Sequence, residues 1–375
     1  MVSLARKNLL HDRIRFAITL AGVAFAVTLV LVQVGLFLGL LGKATVTIEN
    51  SNADIWIVGR NTPNIDFGRP IPETLVLRSR GVTGVERAEN AIVQFITIQL
   101  PNGATENVLV YGLADGAFWN LPWKVEEGRG GADLNRGFNL VMDRSASLRF
   151  GAFNVGDYRE IGGRGFRIIG RSAQAESFTT TPIVFMGFAN AQSLIEQLRD
   201  RTTYVLVKVA PGHDPKEVAS RLRPLFPYND VFTREQWAAQ SRGYWIKSTG
   251  LGMSMGVTVF LGILVGVVIV AQTLYTSAVE NIRQFGTVKA IGGSNWDIYK
   301  ILGEQALIAA VCGFLLGAGA SYAVRPAMAN LHLTVLLTPQ FSGVVFVGTV
   351  AMCLAAALFS FRRVALIDPA LVFRG

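Results

Sequence analysis

The chain has 375 residues, of which 51% are hydrophobic and only 16% charged, against about 25% charged in an ordinary soluble domain. A mean hydropathy of +0.39 excludes a conventional soluble globule and points to segments that sit in lipid. The net charge of +9 does not indicate a nucleic-acid binder, because residues 43–245 carry 23 basic and 21 acidic side chains and no one-sided basic face of the kind nucleic acid requires.

Residues 1–15 place Arg6, Lys7, Arg13 and Arg15 ahead of a first apolar stretch, Phe16–Leu41. That stretch far exceeds the 7–15-residue apolar core of a cleaved signal peptide, and no A-x-A-like site follows it, so it reads as a retained anchor. A bilayer core of about 30 Å is crossed by about 20 helical residues. The outer end of this helix (residues 16–42) is therefore expected to continue beyond the lipid.

Residues 43–245 read as a mixed α+β domain large enough to bury its own core. Strand-like runs are Asp54–Val58, Ile92–Leu100, Asn107–Gly112, Phe166–Gly170, Ile183–Phe188 and Tyr204–Val209, with residues 59–73 as a loop. Asp214 is positioned to cap a helix with Pro215 first and Glu217 as capping-box partner, Val218, Leu222 and Leu225 forming its apolar stripe. Asn190–Arg201 is amphipathic through Leu194, Ile195 and Leu198, and a polar helix from Arg234 to Trp245 leads toward the next apolar stretch. The domain has no cysteine; the two in the chain, Cys312 and Cys353, fall in apolar segments, so disulfides contribute nothing to it. His11, His213 and His332 are too scattered for a metal site, and Asp143, Ser145 and Ser147 read as a helix start with Asp143 as N-cap rather than as a catalytic group.

Three further apolar stretches follow, Leu251–Tyr275, Ile301–Val324 and Phe341–Phe361, giving helices over 246–278, 301–325 and 341–361. The connections are 279–300 and 326–340, and the tail is 362–375. Arg283, Lys289 and Lys300 lie in the first connection and Arg362, Arg363 and Arg374 in the tail, while the second connection, 326–340, has no Lys or Arg after the Arg325 that precedes it. The positive-inside rule then puts both termini and 279–300 in the cytoplasm and the large domain outside. The expected fold class is an α-helical membrane protein with four transmembrane helices in a 1+3 layout and a large α+β extracytoplasmic domain.

Gly35/Gly39, Gly252/Gly256, Gly262/Gly266 and Gly313/Gly317 are spaced for close helix packing, either within the chain or at a dimer face. Gln33 and Gln272 are candidates for an interhelical hydrogen bond, and Glu304 for a salt-bridged anchor with Lys300 one turn earlier. Between the second and third helices, Ile282, Phe285 and Val288 recur at helical spacing with Arg283 and Lys289 on other faces. Gly292-Gly293 ends that run and Ser294 caps the next helix. An amphipathic helix lying on the membrane surface is expected there.

The run Arg283-Gln284-Phe285-Gly286, then Val288-Lys289-Ala290-Ile291-Gly292 and Glu304, resembles the coupling region of FtsX/MacB-type ABC transporter permeases. The ending Asp368-Pro369-Ala370-Leu371 is similar to the family's tail, and Gln284 stands where many members have Glu. Leu20-Ala21-Gly22-Val23-Ala24-Phe25-Ala26, Gln272-Thr273-Leu274-Tyr275-Thr276, Lys289-Ala290-Ile291-Gly292 and Asn120-Leu121-Pro122 resemble the DevC-like glycolipid-exporter branch. The resemblance covers essentially the whole chain. It implies a MacB-like periplasmic domain and a non-catalytic permease subunit of the bacterial inner membrane, working as a homodimer. A separate cytosolic ATPase would bind ATP and Mg, since no Gly-x-x-x-x-Gly-Lys-Ser/Thr loop occurs here. Ile282, Arg283, Gln284, Phe285, Gly286, Val288, Lys289, Ala290, Ile291 and Gly292 would be the ATPase-coupling residues. A periplasmic adaptor and a TolC-like outer-membrane channel would receive a lipid-like or other hydrophobic cargo. An FtsX-like regulator of a cell-wall enzyme, or a lipoprotein-releasing permease, is the alternative within the same likeness.

Overall fold

The computed structural model describes residues 12–179, 181–281, 287, 294–331 and 333–365. It divides into two compact units, a helical bundle and a head built from Leu40–Leu251. Each is taken by itself.

In the head, strands β1 (Ile55–Gly59), β2 (Ile71–Pro72), β3 (Val85–Gln99), β4 (Thr105–Leu113), β5 (Val125–Gly128), β6 (Asn139–Asp143), β7 (Tyr158–Ile161), β8 (Arg164–Ser172), β9 (Ile183–Gly187), β10 (Arg201–Thr202), β11 (Tyr204–Val209) and β12 (Asn229–Thr233) follow in chain order. Ten of them form one sheet, β12-β1-β11-β3-β4-β9-β6-β8-β5, with β7 joined to both β3 and β8. The β4/β9 and β6/β8 pairs are parallel and the others antiparallel. Because β7 pairs Ile161 with Ile98 of β3 and Tyr158 with Arg167 of β8, β3, β4, β9, β6, β8 and β7 close into a ring. Side chains alternate along each strand, so Val108 and Val110, Val184 and Met186, Leu140 and Met142, and Phe166 and Ile168 share one buried cluster. The residues between them, Leu109, Tyr111, Ile183, Phe185 and Val141, belong to a second.

The other part, β12-β1-β11, stays open. One face carries helices Leu75–Arg80 and Pro215–Leu222 over Ile55, Ile57, Val205 and Val207. The other face packs Trp56, Tyr204 and Leu206 with Trp237 of helix Arg234–Lys247. That helix starts with a capping box in which Thr233 and Gln236 satisfy each other's backbone amides.

Every predicted strand run overlaps a strand, β1, β3, β4, β8, β9 or β11, although Asp54 precedes β1, Leu100 follows β3 and Phe188 already opens the helix after β9. Asp214 caps its helix by accepting from the Lys216 amide at 3.0 Å. Glu217 does not complete a capping box; it pairs with Arg221 at 3.5 Å. The helix ends at Leu222, and Leu225 sits in the following 3-10 turn, 44% exposed. The amphipathic run from Asn190 is cut short as well. Its helix spans Phe188–Ser193, after which Ile195 turns extended and the chain pairs Arg201 and Thr202 with β2. Asp143 lies at the end of β6, ahead of helix Ala146–Phe150, and its carboxylate accepts from the amides of Ser145 (3.0 Å) and Ala175 (2.9 Å). It ties a strand end to a loop rather than standing as N-cap itself.

The bundle holds helices Arg13–Lys43, Leu251–Glu280, Asn295–Asn330 and Pro339–Ala365, all four long and apolar enough to cross a membrane. Its core includes Val23, Val27, Leu31, Val270, Leu274, Ala306, Ala310 and Ala356. Three of the four glycine pairs sit on seams inside the chain. A Cβ on Gly262 would stand 3.0 Å from Leu29, and one on Gly266 3.0 Å from Ala26. One on Gly317 would stand 2.7 Å from the Ala24 carbonyl oxygen, and one on Gly39 only 1.9 Å from that of Thr334. Around Gly256 of the fourth pair there is open space. The segment after the third helix lies along the first one, its Leu336 amide donating to the Gly35 carbonyl at 2.9 Å.

Close approach to backbone leaves Gly317 no room to adapt. Gly317→Leu is expected to destabilise the bundle by about 1–3 kcal/mol, read as a lower unfolding midpoint of the purified chain in detergent. Gly343→Ala, at a glycine facing open space, is expected to leave the midpoint unchanged. Equal effects of the two would contradict the seam.

Candidate functional site

The ten residues expected to couple to an ATPase, Ile282 to Gly286 and Val288 to Gly292, lie outside the described residues. The frame on either side of them is defined. Where the second helix ends, the Arg15 guanidinium holds the Glu280 carboxylate with both of its terminal nitrogens, one at 2.9 Å. The same guanidinium reaches Asp12 at 3.2 Å. Glu280 is about half exposed, so solvent screens the pair and it adds little to stability. What it fixes is position, tying the start of the first helix to the end of the second, two residues before the coupling run. On the far side, Ser294 and Asp297 form a capping box, Ser294 accepting from the Asp297 amide and Asp297 from that of Ser294. Ala278 packs with Ile298 and Leu302, so both chain ends of the loop rest on one small apolar cluster.

Lys300 pairs with Asp297 at 3.6 Å; Glu304, one turn further on, is half-buried. The expected interhelical role of Gln33 and Gln272 falls to other residues. The antiparallel register that sets Ala26 against Gly266 and Leu29 against Gly262 puts the two glutamines at opposite ends of the seam, and Gln272 is exposed. Instead the Thr28 hydroxyl donates to the Gly317 carbonyl at 3.1 Å and the Ser360 hydroxyl to that of Ala271 at 2.8 Å. Gln305 was not singled out by the sequence pattern. It is 1% exposed with its amide oxygen unpartnered, beside Asp12, Arg15, Thr19 and Thr273. A lone glutamine inside the apolar run 301–324 was the signal that could have found it.

The head has its own organised end, where residues adjacent in sequence to the first and second long helices meet. Lys43 is ion-paired with Glu176. Arg242 of helix Arg234–Lys247 reaches Glu49 at 2.6 Å and the Thr45 hydroxyl at 3.3 Å, joining short helix Val46–Asn50 to it. Close by is a buried polar cluster. Tyr204 packs against Trp56 (5.7 Å) and Trp237 (6.1 Å) and donates its hydroxyl to the Ile65 carbonyl at 2.8 Å. Next to it, Asp66 is 3% exposed with Oδ2 unpartnered, as are Asn64 Nδ2, the indole nitrogens of Trp56 and Trp237, and Ser241 Oγ. Each buried polar group left so costs about 1–3 kcal/mol. Burial pushes the Asp66 carboxyl up to about 7. The Tyr111 and Tyr204 phenols are raised well above their ordinary value, by burial first; the Asp66 charge adds to the shift of Tyr111, and Tyr111 and then Asp66 add to that of Tyr204.

Folded Asp66 binds its proton up to about pH 7, whereas the unfolded chain releases it near 3.8. Between those values the folded head holds more protons, so its stability falls as pH rises. The unfolding midpoint of the head is expected to increase on acidification from about pH 8 to pH 6, and Asp66→Asn to be more stable at pH 8 with most of that dependence removed. A variant as pH-sensitive as the parent would rule out Asp66 as the source.

Residues 16–225 match the model of the MacB-like periplasmic core domain, and residues 256–369 that of the FtsX-like permease C-terminal region. Over its whole length the chain is similar to an uncharacterized ABC transporter permease of Mycobacterium tuberculosis, 26% identical over 379 residues and covering 100% of both chains. A second such permease, from Mycobacterium bovis, is 25% identical over 373 residues, covering 97% of this chain and 96% of its own. Among solved structures, the periplasmic region of MacB from Actinobacillus actinomycetemcomitans aligns with 50% of this chain and 92% of its own, at 13% identity and a TM-score of 0.39. The extracellular domain of the ABC-type transporter YknZ aligns with 48% of this chain and 98% of its own, at 15% identity and a TM-score of 0.36. With a MacB-like core domain and an FtsX-like permease region accounting for most of its residues, the chain belongs to the ABC transporter permeases of the MacB/FtsX type.

Proposed function

We propose that this permease is the membrane subunit of an ATP-driven exporter that works by relaying motion rather than by conducting cargo between its helices. The observation that carries the reading is the 1+3 layout, one apolar helix before the head and three after it. A separate cytosolic ATPase supplies the nucleotide chemistry. Two copies of the permease stand in the inner membrane with both termini in the cytoplasm and the head in the periplasm, the orientation favoured by the Arg and Lys of residues 1–15, 279–300 and 362–375.

In this reading the segment 282–292 rests on the ATPase. Closure of the ATPase pair displaces it, and the displacement enters the bundle through the cluster of Ala278, Ile298 and Leu302 and through the Arg15–Glu280 clamp. A helix under compression or tilt moves as a rod, so the first and second helices carry the movement outward to the head. Such relays need two discrete arrangements at each end. The head then passes a lipid-like or other hydrophobic cargo to an adaptor and an outer-membrane duct. The DevC-like segments at 20–26 and 272–276 support the choice of cargo class.

Phe285→Asp and Gly292→Pro, each expressed at the parent's level, are expected to lose the co-purifying ATPase and to lower export about tenfold or more, the effect of about 1.4 kcal/mol of lost coupling. Undiminished ATPase capture together with undiminished export would contradict the proposal.

A further inference from the structure

The head carries a groove of about 340 Å³ between the β1–β2 connection, helix Leu75–Arg80 and the turn before β12. Its floor is apolar, made by Ile71, Leu75 and Phe226, each under 9% exposed. Its rim is cationic. Arg60, Arg69 and Arg78 all line it and all are exposed. No carboxylate lines the groove, and none of the three guanidiniums is ion-paired among the described residues. Arg69 is held in place, since its Nη1 donates to the Arg60 carbonyl at 3.4 Å and its Cβ packs against Gly59, where an added methyl would stand 2.8 Å away. Leu225 and Tyr228, 44% and 81% exposed, extend the apolar surface outward from the floor.

Unpaired arginines in a head whose charge is nearly balanced are sites of strong positive potential. Guanidinium is the side chain best suited to phosphate and carboxylate, which it grips with two parallel hydrogen bonds. An apolar floor beneath such a rim suits a ligand with an anionic end and a hydrocarbon end. We propose that this groove binds a net-anionic amphiphile that ends in a phosphate monoester, its anionic end on Arg60, Arg69 and Arg78 and its apolar part on Phe226, Leu225 and Tyr228. The groove belongs wholly to the head and stands whether or not the export reading does. The same phosphate chemistry is available from a lipid headgroup or from free phosphate, and the apolar floor favours the lipid.

Hydrogen exchange of the full chain in detergent tests this locally. Short-chain dihexanoyl phosphatidic acid is expected to protect amides in 59–80 and 222–232, whereas dihexanoyl phosphatidylcholine is not. Inorganic pyrophosphate is expected to protect the same amides only at concentrations about tenfold higher or more, the loss of about 1.4 kcal/mol of floor contact. Arg69→Ala with Arg78→Ala should abolish the protection, and Arg167→Ala with Arg199→Ala, which removes equal charge from outside the groove, should preserve it. The proposal is overturned if phosphatidylcholine protects equally, if pyrophosphate matches the lipid, if the groove variant still responds, or if the control variant loses its response too.

Discussion

In hydrocarbon an apolar side chain gains nothing by leaving lipid for another helix, so membrane helices associate through close packing and the few polar contacts that close packing allows. The first helix of this permease meets that constraint with glycines on the helices it touches. Gly262 and Gly266 of the second helix receive Leu29 and Ala26, while Gly313 and Gly317 of the third receive Val23 and Val27. The approach at Gly317 is near enough for the Thr28 hydroxyl to reach its carbonyl. A helix that is separated in sequence from the other three by the whole head is thereby built into their bundle. The Arg15–Glu280 clamp and any relay through residues 279–300 presuppose that it is.

The head solves a different problem. Closing β3, β4, β9, β6, β8 and β7 into a ring removes strand edges and leaves β12 as one edge of the open part, where Arg223 donates to the Val231 carbonyl at 3.3 Å. At the end that continues into the long helices the interior is different in kind, with Asp66 and its unpartnered polar neighbours beneath Trp56, Tyr204 and Trp237. Stability sacrificed at such a place is a common mark of elements that must move.

Much of this was legible in the chain. The four apolar helices follow from length and hydropathy alone, and the alternating strands and the Asp214 and Ser294 caps from local pattern. The ring was not legible, because it depends on β7, the four-residue Tyr-Arg-Glu-Ile run, whose polar composition gives no strand signal and whose ring-closing partner, β3, is far away in sequence. Asp66 was hidden inside a stretch with three prolines that reads as an exposed loop, yet tertiary packing buries it. The glycine pairs announced close contact without naming the partner. Gln33 and Gln272 drew attention for being polar in apolar runs, but a one-dimensional pattern carries no register, and it is register that sets them apart. Arg15 and Glu280, 265 residues apart, could be joined only by the fold.

Oxidative crosslinking tests the seam most directly. With Cys312 and Cys353 replaced by alanine, Ala26→Cys and Gly266→Cys bring two Cβ atoms to about 3 Å, which half an ångström or so of adjustment makes compatible with a disulfide. The chain would carry a protease site at the exposed β3–β4 turn, residues 101–104. Oxidised in membranes and then cut, it should give two fragments held together at the mass of a single chain and released by reductant. A product with the mass of two chains, or no bond at all, would show that the first helix does not lie in its own bundle as described.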